Sequence, residues 1–179
     1  MKKSRKGRSK LILVLGGAAS GKSQAAIELA GQLRPRAFVA TGEALDGEMA
    51  VRIARHRATR SSDWVTSEVP ADLAQWFDKN KLNYQTIVLD CLTLWLNNLQ
   101  ERCLSTLAIS DATADMLRAI RATRARVVIV SNELGLGLVP GTKVVRAFRD
   151  LAGRVNQQVA AEADEVYLTI CGLPLRLKQ

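Results

Sequence analysis

The sequence predicts an α/β fold in which helices flank a mostly parallel β-sheet that ends in an antiparallel hairpin. Apolar runs of strand length alternate with helical patterns, and the first strand leads through a glycine-rich turn into a helix. Strands that alternate with helices form parallel sheets, because each crossover helix returns the chain to the same end. The chain has 179 residues, 47% hydrophobic and 24% charged, which is typical of one globular domain.

The first strand and the turn behind it carry the P-loop pattern. Residues 11–15 are apolar, and Gly16 is followed after four residues by Gly21, Lys22 and Ser23, which matches G-x-x-x-x-G-K-[ST]. Glycines let backbone N–H groups face phosphate oxygens, the lysine can reach the β- and γ-phosphates, and the serine hydroxyl can bind Mg²⁺. A turn that merely links a strand to a helix is the alternative. The flanking strand and helix favour a P-loop NTPase (RecA-like) fold.

The remaining elements are predicted from apolar periodicity and from Pro and Gly punctuation. Strands are expected at 36–41, 84–90, 125–133 and from 164, with a short extended piece at 64–68 and with a Gly172 to Pro174 turn before a short last strand. Helices are expected at 23–33, 43–60, 71–80, 91–103, 142–163 and from a cap at Asp111 to 124. We expect residues 11–179 to form a single domain behind a basic tail, residues 1–10.

The net charge of +9 is concentrated in that tail, which contains six Lys and Arg residues and no acid. The rest of the chain has 20 basic and 17 acidic residues, so it is nearly balanced. A short basic tail is more often solvated than functional, and charge alone gives only salt-sensitive contact with nucleic acid. We therefore expect no specific nucleic-acid partner.

Apolar runs stay well short of the ~20 residues of a membrane span, and no secretory signal is recognisable. The three cysteines have neither metal-ligand nor redox spacing, and their odd number argues against a disulfide framework. We expect a cytoplasmic protein with reduced thiols, and with Cys91 and Cys171 in its core.

Polar residues at the ends of the predicted strands are candidates for the site, because ligands of parallel α/β sheets bind beyond the carboxyl ends of the strands. Thr41 ends the second strand. Asp90 follows an apolar run, as a Walker B carboxylate does, and can hold Mg²⁺ directly or through water; the alternative is a helix N-cap. Glu133 is either a second carboxylate near the phosphates or a loop residue.

His56, the only histidine of the chain, lies in a basic helical segment. Positions 52, 56 and 60 share one helical face, so Arg52 and Arg60 flank the histidine, with Arg55 and Arg57 beside it in sequence. A lone helical histidine is usually structural, but this cluster suits anionic phosphate. Neighbouring cations disfavour the imidazolium form, which would keep the ring neutral and nucleophilic. Both readings remain open from the residues alone.

The sequence resembles the bifunctional adenosylcobinamide kinase/adenosylcobinamide-phosphate guanylyltransferases of cobalamin biosynthesis over about residues 11–178. The resemblance is carried by GGAASGKS, VATGEALDGEMAVRIARHR, DCLTLWLNNL and SNELGLGLVPGTKVVRAFRDLAGRVNQQVAAEADEVYL. It implies phosphorylation of adenosylcobinamide with ATP or GTP, followed by transfer of GMP from GTP through a guanylylated histidine. That histidine corresponds to His56. The resemblance also implies a homotrimer.

Carried over position by position, the resemblance makes His56 the covalent nucleophile, whereas the P-loop and Walker B patterns assign a catalytic role to Lys22 and magnesium ligation to Ser23 and Asp90. The implied nucleotide contacts are Gly16, Gly17, Ala18, Ala19, Ser20, Gly21, Lys22, Ser23, Ala40, Thr41, Gly42, Arg57, Ala58, Thr59, Arg60, Glu68 and Asp90. Two positions depart from the family pattern: Ala19 stands where relatives often have arginine, and Ser61 where they often have proline.

Three other functions fit parts of the pattern. A plain P-loop kinase of another small metabolite would form no covalent nucleotide adduct. A nucleic-acid-stimulated ATPase would bind DNA or RNA in a strongly salt-dependent way. A nucleotide-binding module without catalysis conflicts with the intact Lys22, Ser23 and Asp90.

Overall fold

The computed structural model describes residues 9–43, 47, 51 and 62–178. Seven strands form its sheet: β1 Lys10–Gly16, β2 Arg36–Ala40, β3 Trp64–Glu68, β4 Thr86–Asp90, β5 Arg126–Asn132, β6 Glu165–Ile170 and β7 Leu173–Lys178. The helices in the described part of the chain are α1 Lys22–Ala30, α2 Leu73–Asn80, α3 Leu92–Glu101, α4 Thr106–Ala122 and α5 Lys143–Glu162. No helix in these ranges is long and apolar enough for a membrane span.

The strand order is β3-β2-β4-β5-β1-β6-β7, and every pair except β6–β7 is parallel. The predicted α/β class, the parallel sheet and the closing hairpin are therefore confirmed. β1 is central, with β5 and β6 on its two sides, so the carboxyl ends of the parallel strands lie at one edge of the sheet. The P-loop turn leaves from that edge.

Alternate side chains of β1 point into two apolar layers, as the period of a strand requires. Leu11, Leu13 and Leu15 pack in the larger layer, against Trp95 of α3 and Val155 of α5. Ile12 and Val14 pack in the smaller layer, against the alanines of α1. The small alanine side chains let α1, which begins directly behind the P-loop turn, lie close to the sheet.

Three local predictions are wrong. Ser105, not Asp111, caps α4: its Oγ accepts a hydrogen bond of 3.2 Å from the Ala108 N–H, so the helix starts earlier than expected.

The last turn falls at Cys171 and Gly172, and Pro174 lies within β7. Proline is tolerated there because β7 is an edge strand. Cys171 is exposed in that turn, whereas Cys91 is buried as expected. The predicted helix 43–60 falls almost wholly outside the described residues.

Glu165 joins three strands at the amino end of β6. Its carboxylate is paired with Lys10 of β1, accepts a 2.8 Å hydrogen bond from the Tyr167 hydroxyl, and lies 3.4 Å from Arg176 of β7. Burial on its own raises the pKa of this carboxyl. The hydrogen bonds from Lys10 and Tyr167, with the nearby positive charges, outweigh burial and hold the pKa below its usual value. The carboxylate form therefore stabilises the fold.

We predict that Glu165→Gln lowers the free energy of unfolding by about 1–2 kcal/mol at pH 7, because it removes a charged acceptor from a nearly buried network. A lowered folded-state pKa means that this contribution is complete above the unfolded pKa of about 4.3 and is lost as the pH falls through the folded value. Urea unfolding between pH 7 and pH 3 measures it. Asp115→Asn, at an exposed pair with Arg118, should cost less than about 0.5 kcal/mol. Equal costs for both variants would contradict the prediction.

Candidate active site at the carboxyl edge of the sheet

Both glycines of the P-loop pattern are required by their surroundings. A Cβ on Gly16 would lie 2.4 Å from the Ser20 Oγ and 2.8 Å from the Thr169 carbonyl oxygen. Gly21 has a φ of +88°, and its Cβ would lie 2.9 Å from the Cα of Gly172. The turn can therefore close only with glycine at these two positions.

The β6–β7 hairpin supports the P-loop, a contact that sequence reasoning missed. The Gly172 N–H donates a 2.9 Å hydrogen bond to the Ser20 carbonyl. Gly172 itself has a φ of +81°. Its position in a turn was readable from the sequence, but its approach to residues about 150 positions earlier was not. The hairpin thus fixes the back of the loop, while Gly17, Ala18 and Ala19 remain exposed.

Lys22 and Ser23 begin α1 directly behind the loop and are half-buried. The Lys22 ammonium donates a 2.9 Å hydrogen bond to the Gly17 carbonyl, so its positive charge lies over the concave side of the loop. Ala19 has a φ of +54°. These features match what the sequence predicts for a phosphate-binding turn at a helix N-terminus.

The predicted residues at the strand ends lie at the same edge. Ala40 pairs in register with Glu68 of β3 and with Asp90 of β4, so three neighbouring strands end side by side. Thr41 is buried. Its N–H donates to the Asp90 carbonyl at 3.2 Å, and its hydroxyl donates to the Cys91 carbonyl at 2.7 Å and accepts from the Cys91 N–H at 2.9 Å. Thr41 therefore ties two strand ends together.

Asn98 of α3 is a second residue that sequence reasoning missed. Its side-chain amide donates to the Thr41 carbonyl at 2.8 Å and to the Pro70 carbonyl at 3.0 Å. Asn98 is buried. The available signal was an asparagine in an otherwise apolar helical segment, since a buried amide needs partners. It holds the backbone after β2 and β3 in place.

Asp90 is half-buried at the end of β4. The N-cap position of α3 is Cys91, and no side chain caps that helix, so the alternative role of Asp90 as an N-cap is wrong. Burial, and next the negative charge of Asp90, raise the pKa of the Cys91 thiol to about 11, partly offset by Lys22. The carboxylate and the ammonium therefore act on the same thiol, and Asp90 faces the P-loop side of the sheet edge.

Ser23 and Asp90 fit a magnesium ion by their chemistry. A hydroxyl and a carboxylate are hard oxygen ligands, and Mg²⁺ retains several waters when few protein groups bind it. α1 packs against β4, which brings the first turn of the helix and the end of the strand to the same region.

Glu133 follows β5 directly beside the P-loop. Its N–H donates a 3.0 Å hydrogen bond to the Gly16 carbonyl, and its Oε1 accepts one of 2.8 Å from the Gly135 N–H. The residue thus shapes the start of the loop 134–141, and it also brings a carboxylate to the edge at which phosphates would bind. Glu133 is thus a loop residue by its hydrogen bonds. Whether its carboxylate also acts near the phosphates stays a prediction.

His56 and residues 57–60, with Ser61, lie outside the residues that the structure describes. Their predicted roles remain predictions. What the structure brings together is the P-loop, the strand ends at Ala40, Glu68 and Asp90, and Glu133. These groups provide a phosphate cradle, a cation and carboxylates along one edge of the sheet.

Comparisons with known proteins show the family of the chain. Residues 12–177 match the family model described as "CobU: Cobinamide kinase / cobinamide phosphate guanyltransferase". The chain belongs to this family. Two family members named bifunctional adenosylcobalamin biosynthesis protein CobU, from Salmonella typhimurium and Escherichia coli, are each 37% identical over 180 residues, covering 94% of this chain and 99% of theirs.

A third relative, the bifunctional adenosylcobalamin biosynthesis protein CobP of Pseudomonas aeruginosa, is 40% identical over 93% of this chain and 96% of its own. Among solved structures, a KaiC-like protein of Pyrococcus horikoshii covers 90% of this chain and 71% of its own, with 12% identity and a TM-score of 0.48. The family model and the three relatives confirm the family membership expected from the sequence.

We predict that native protein has two reactive thiols rather than three. Cys103 and Cys171 are exposed and Cys91 is buried. With a pKa of about 11, only about one Cys91 side chain in a thousand is a thiolate at pH 8. Titration with a chromogenic disulfide should give two fast equivalents in native protein and three after denaturation. Cys91→Ser should retain two fast equivalents when native and lose the third when denatured. Three fast equivalents in native wild-type protein would contradict the burial of Cys91.

Proposed function

We propose that this protein phosphorylates adenosylcobinamide with ATP or GTP and then transfers GMP from GTP to adenosylcobinamide phosphate, through a guanylyl group on His56. The observation that carries the proposal is an intact P-loop, with Asp90 and Glu133 at the same sheet edge, in a chain of the cobinamide kinase/guanylyltransferase family. The products are adenosylcobinamide-GDP and pyrophosphate. The enzyme is accordingly a transferase.

In the kinase step, the hydroxyl oxygen of adenosylcobinamide attacks the γ-phosphorus. The bond to the β-phosphate oxygen breaks, the nucleoside diphosphate leaves, and the hydroxyl gives up its proton. Phosphoryl transfer needs positioning and charge compensation more than covalent chemistry. Backbone N–H groups of residues 16–23 and the Lys22 ammonium supply them. Lys22 donates a hydrogen bond to the Gly17 carbonyl, which keeps the ammonium over the loop. When the nucleotide binds, a phosphate oxygen takes the place of that carbonyl as the acceptor.

In the transferase step, a neutral His56 nitrogen attacks the α-phosphorus of GTP. A nitrogen–phosphorus bond forms, and the bond to the β-phosphate breaks with loss of pyrophosphate, whose charge Lys22 and the P-loop amides compensate. A phosphate oxygen of adenosylcobinamide phosphate then attacks the same phosphorus. The nitrogen–phosphorus bond breaks, which frees His56 and leaves GMP on the acceptor.

Other parts of the edge are proposed to orient the nucleotide. These contacts are Ala40 to Gly42, Glu68 and, outside the described residues, Arg57 to Arg60. The Thr41 hydroxyl is bonded to Cys91, so the contribution of Thr41 is to fix the backbone of this segment. Ser23 and Asp90 would hold Mg²⁺, which would supply positive charge to offset the negative charge of the phosphates.

We also propose a homotrimeric, cytoplasmic enzyme with no specific nucleic-acid partner. The assembly is supported by the apolar side chains that lie exposed between β5 and the first turn of α5, where Leu136, Leu138 and Val144 are 77%, 96% and 77% exposed. Apolar surface of this kind is commonly covered by another chain.

A plain P-loop kinase of another small metabolite is the competing function. It would use the same P-loop, Ser23 and Asp90, and would form no covalent nucleotide adduct. Among the predicted site residues, the two functions therefore differ in their need for His56, which is the basis of the test.

We predict that His56→Ala lowers GMP transfer to adenosylcobinamide phosphate at least about a thousandfold, as loss of a nucleophile does, and leaves γ-phosphate transfer to adenosylcobinamide within about tenfold. Lys22→Ala should lower both rates, because the P-loop serves both steps. The two products can be separated chromatographically with labelled nucleotides. Equal loss of both activities in folded His56→Ala protein would contradict separate roles for the P-loop and His56.

A further inference from the structure

A cleft of ≈ 520 Å³ lies between the segment after β5 and helix α5, beside the P-loop. Leu15 of β1 and Glu133 line the side nearest the P-loop, and Arg149, Gly153, Arg154 and Asn156 line the helix side. Leu15 belongs to the layer opposite α1. The cleft therefore opens at the same sheet edge as the P-loop, but on the other face of the sheet.

A single hydrogen bond joins Glu133, which lines the cleft, to the first residue of the P-loop. The Glu133 N–H donates to the carbonyl of Gly16, and Gly16 pairs with Asn132 in the β1–β5 register. A group held in the cleft can therefore extend across the end of β1 toward a phosphate on the P-loop. The nucleotide itself is assigned to the α1 side of this boundary, so the cleft is free for a second substrate.

Asn156 supplies a buried acceptor with no partner. It is 5% exposed, and its Nδ2 donates a 3.0 Å hydrogen bond to the Asn132 carbonyl. Its Oδ1 is buried without a hydrogen bond from any described residue. Buried polar atoms nearly always have partners, so this oxygen, on a side chain that lines the cleft, needs an O–H or N–H donor.

The helix side also carries positive charge for an anion. Arg154 is exposed and forms no ion pair with any residue that the structure describes. Arg149 lies 3.4 Å from its sequence neighbour Asp150, a long contact to a carboxylate that is 56% exposed. A guanidinium binds phosphate oxygens in a fixed, two-pronged geometry. The two arginines can therefore turn toward a phosphate monoester.

Gly153 keeps the cleft open. It lies inside the 20-residue helix α5, where glycine is less favourable than alanine. A Cβ built on it would meet no atom within 4 Å, so tight packing does not explain the glycine. Its place on the cleft wall does, because any larger side chain would project into the space.

We propose that this cleft is the acceptor site of both reactions, and that it binds the reacting arm of the corrinoid first as the alcohol and then as the phosphate monoester. The Asn156 Oδ1 accepts a hydrogen bond from the arm, and Arg154 with Arg149 binds the phosphate once it is formed. This assignment rests on the proposed function. It explains how one cleft serves two acceptors that differ only by a phosphate group.

The first test compares the two acceptors in the arginine variants. Arg154→Gln and Arg149→Gln should each raise KM for adenosylcobinamide phosphate in GMP transfer by about tenfold, as expected for loss of a charged hydrogen bond. KM for GTP and for adenosylcobinamide should change by less than about threefold. Arg118→Gln, which removes an exposed arginine of α4, is the matched control and should leave all three values unchanged.

A second test blocks the cleft without removing a polar group. Gly153→Leu should keep or raise the melting temperature, since leucine favours helix, and should leave KM for GTP unchanged. It should raise KM for both acceptors by about tenfold or more, because one binding space is filled. Ala161→Leu, at an exposed position of the same helix, is the matched control and should leave KM for GTP and for both acceptors unchanged.

The outcomes are separable. Unchanged acceptor KM values in active Gly153→Leu and arginine variants would overturn the acceptor site and leave the two activities standing. A parallel rise in KM for GTP would assign the cleft to the nucleotide instead and would equally overturn the proposal. Absence of both activities in wild-type protein would refute the proposed function itself.

Discussion

The structure depends on the hydrogen-bonded position of β1 between β5 and β6. Because both neighbours run parallel to β1, the chain leaves all three strands at the same edge, and the turn after β1 has little room. Gly16 is confined by Ser20 and by the Thr169 carbonyl of β6, and its own carbonyl accepts a hydrogen bond from Glu133 after β5. The phosphate cradle is therefore shaped by its two neighbouring strands as much as by its own sequence.

The proposed function and the proposed acceptor site bring two substrates to this edge from opposite faces of the sheet. On one face α1 presents Lys22 and Ser23, and β4 brings Asp90 beside them. On the other face α5 and the segment after β5 form a cleft with a buried free acceptor and two guanidinium groups. The end of β1 separates the two spaces by a single residue pair. An arrangement of this kind suits an enzyme that moves phosphate between a nucleotide and a separate acceptor.

Much of this was predictable from local sequence patterns. The strand before Gly16, the helix after Gly21 and the apolar run before Asp90 are each encoded within about ten residues, and the structure contains all three.

The parts that were missed depend on contacts between distant segments. Gly172 meets Gly21 only because β6 lies beside β1, and Asn98 reaches the backbone at Thr41 and Pro70 only because α3 lies next to the residues that follow β2 and β3. In the sequence, the arginines of α5 cannot be told from those of an ordinary solvated helix face, because the cleft forms only when α5 packs against the sheet. Ser105 outcompeted Asp111 as a cap because the helix gained nearly two more turns from the earlier start.

Guanylyl transfer through His56 is the proposed step that separates this enzyme from a plain P-loop kinase. The most direct measurement incubates wild-type protein with Mg²⁺ and GTP labelled at either the α- or the γ-phosphate, without corrinoid, and locates protein-bound label by peptide mapping after denaturation. We predict label from the α-phosphate only, in an acid-labile bond on the peptide that contains His56, and its release as adenosylcobinamide-GDP when adenosylcobinamide phosphate is added. Protein that binds GTP and forms adenosylcobinamide-GDP at the normal rate, yet retains no label on that peptide, would contradict it.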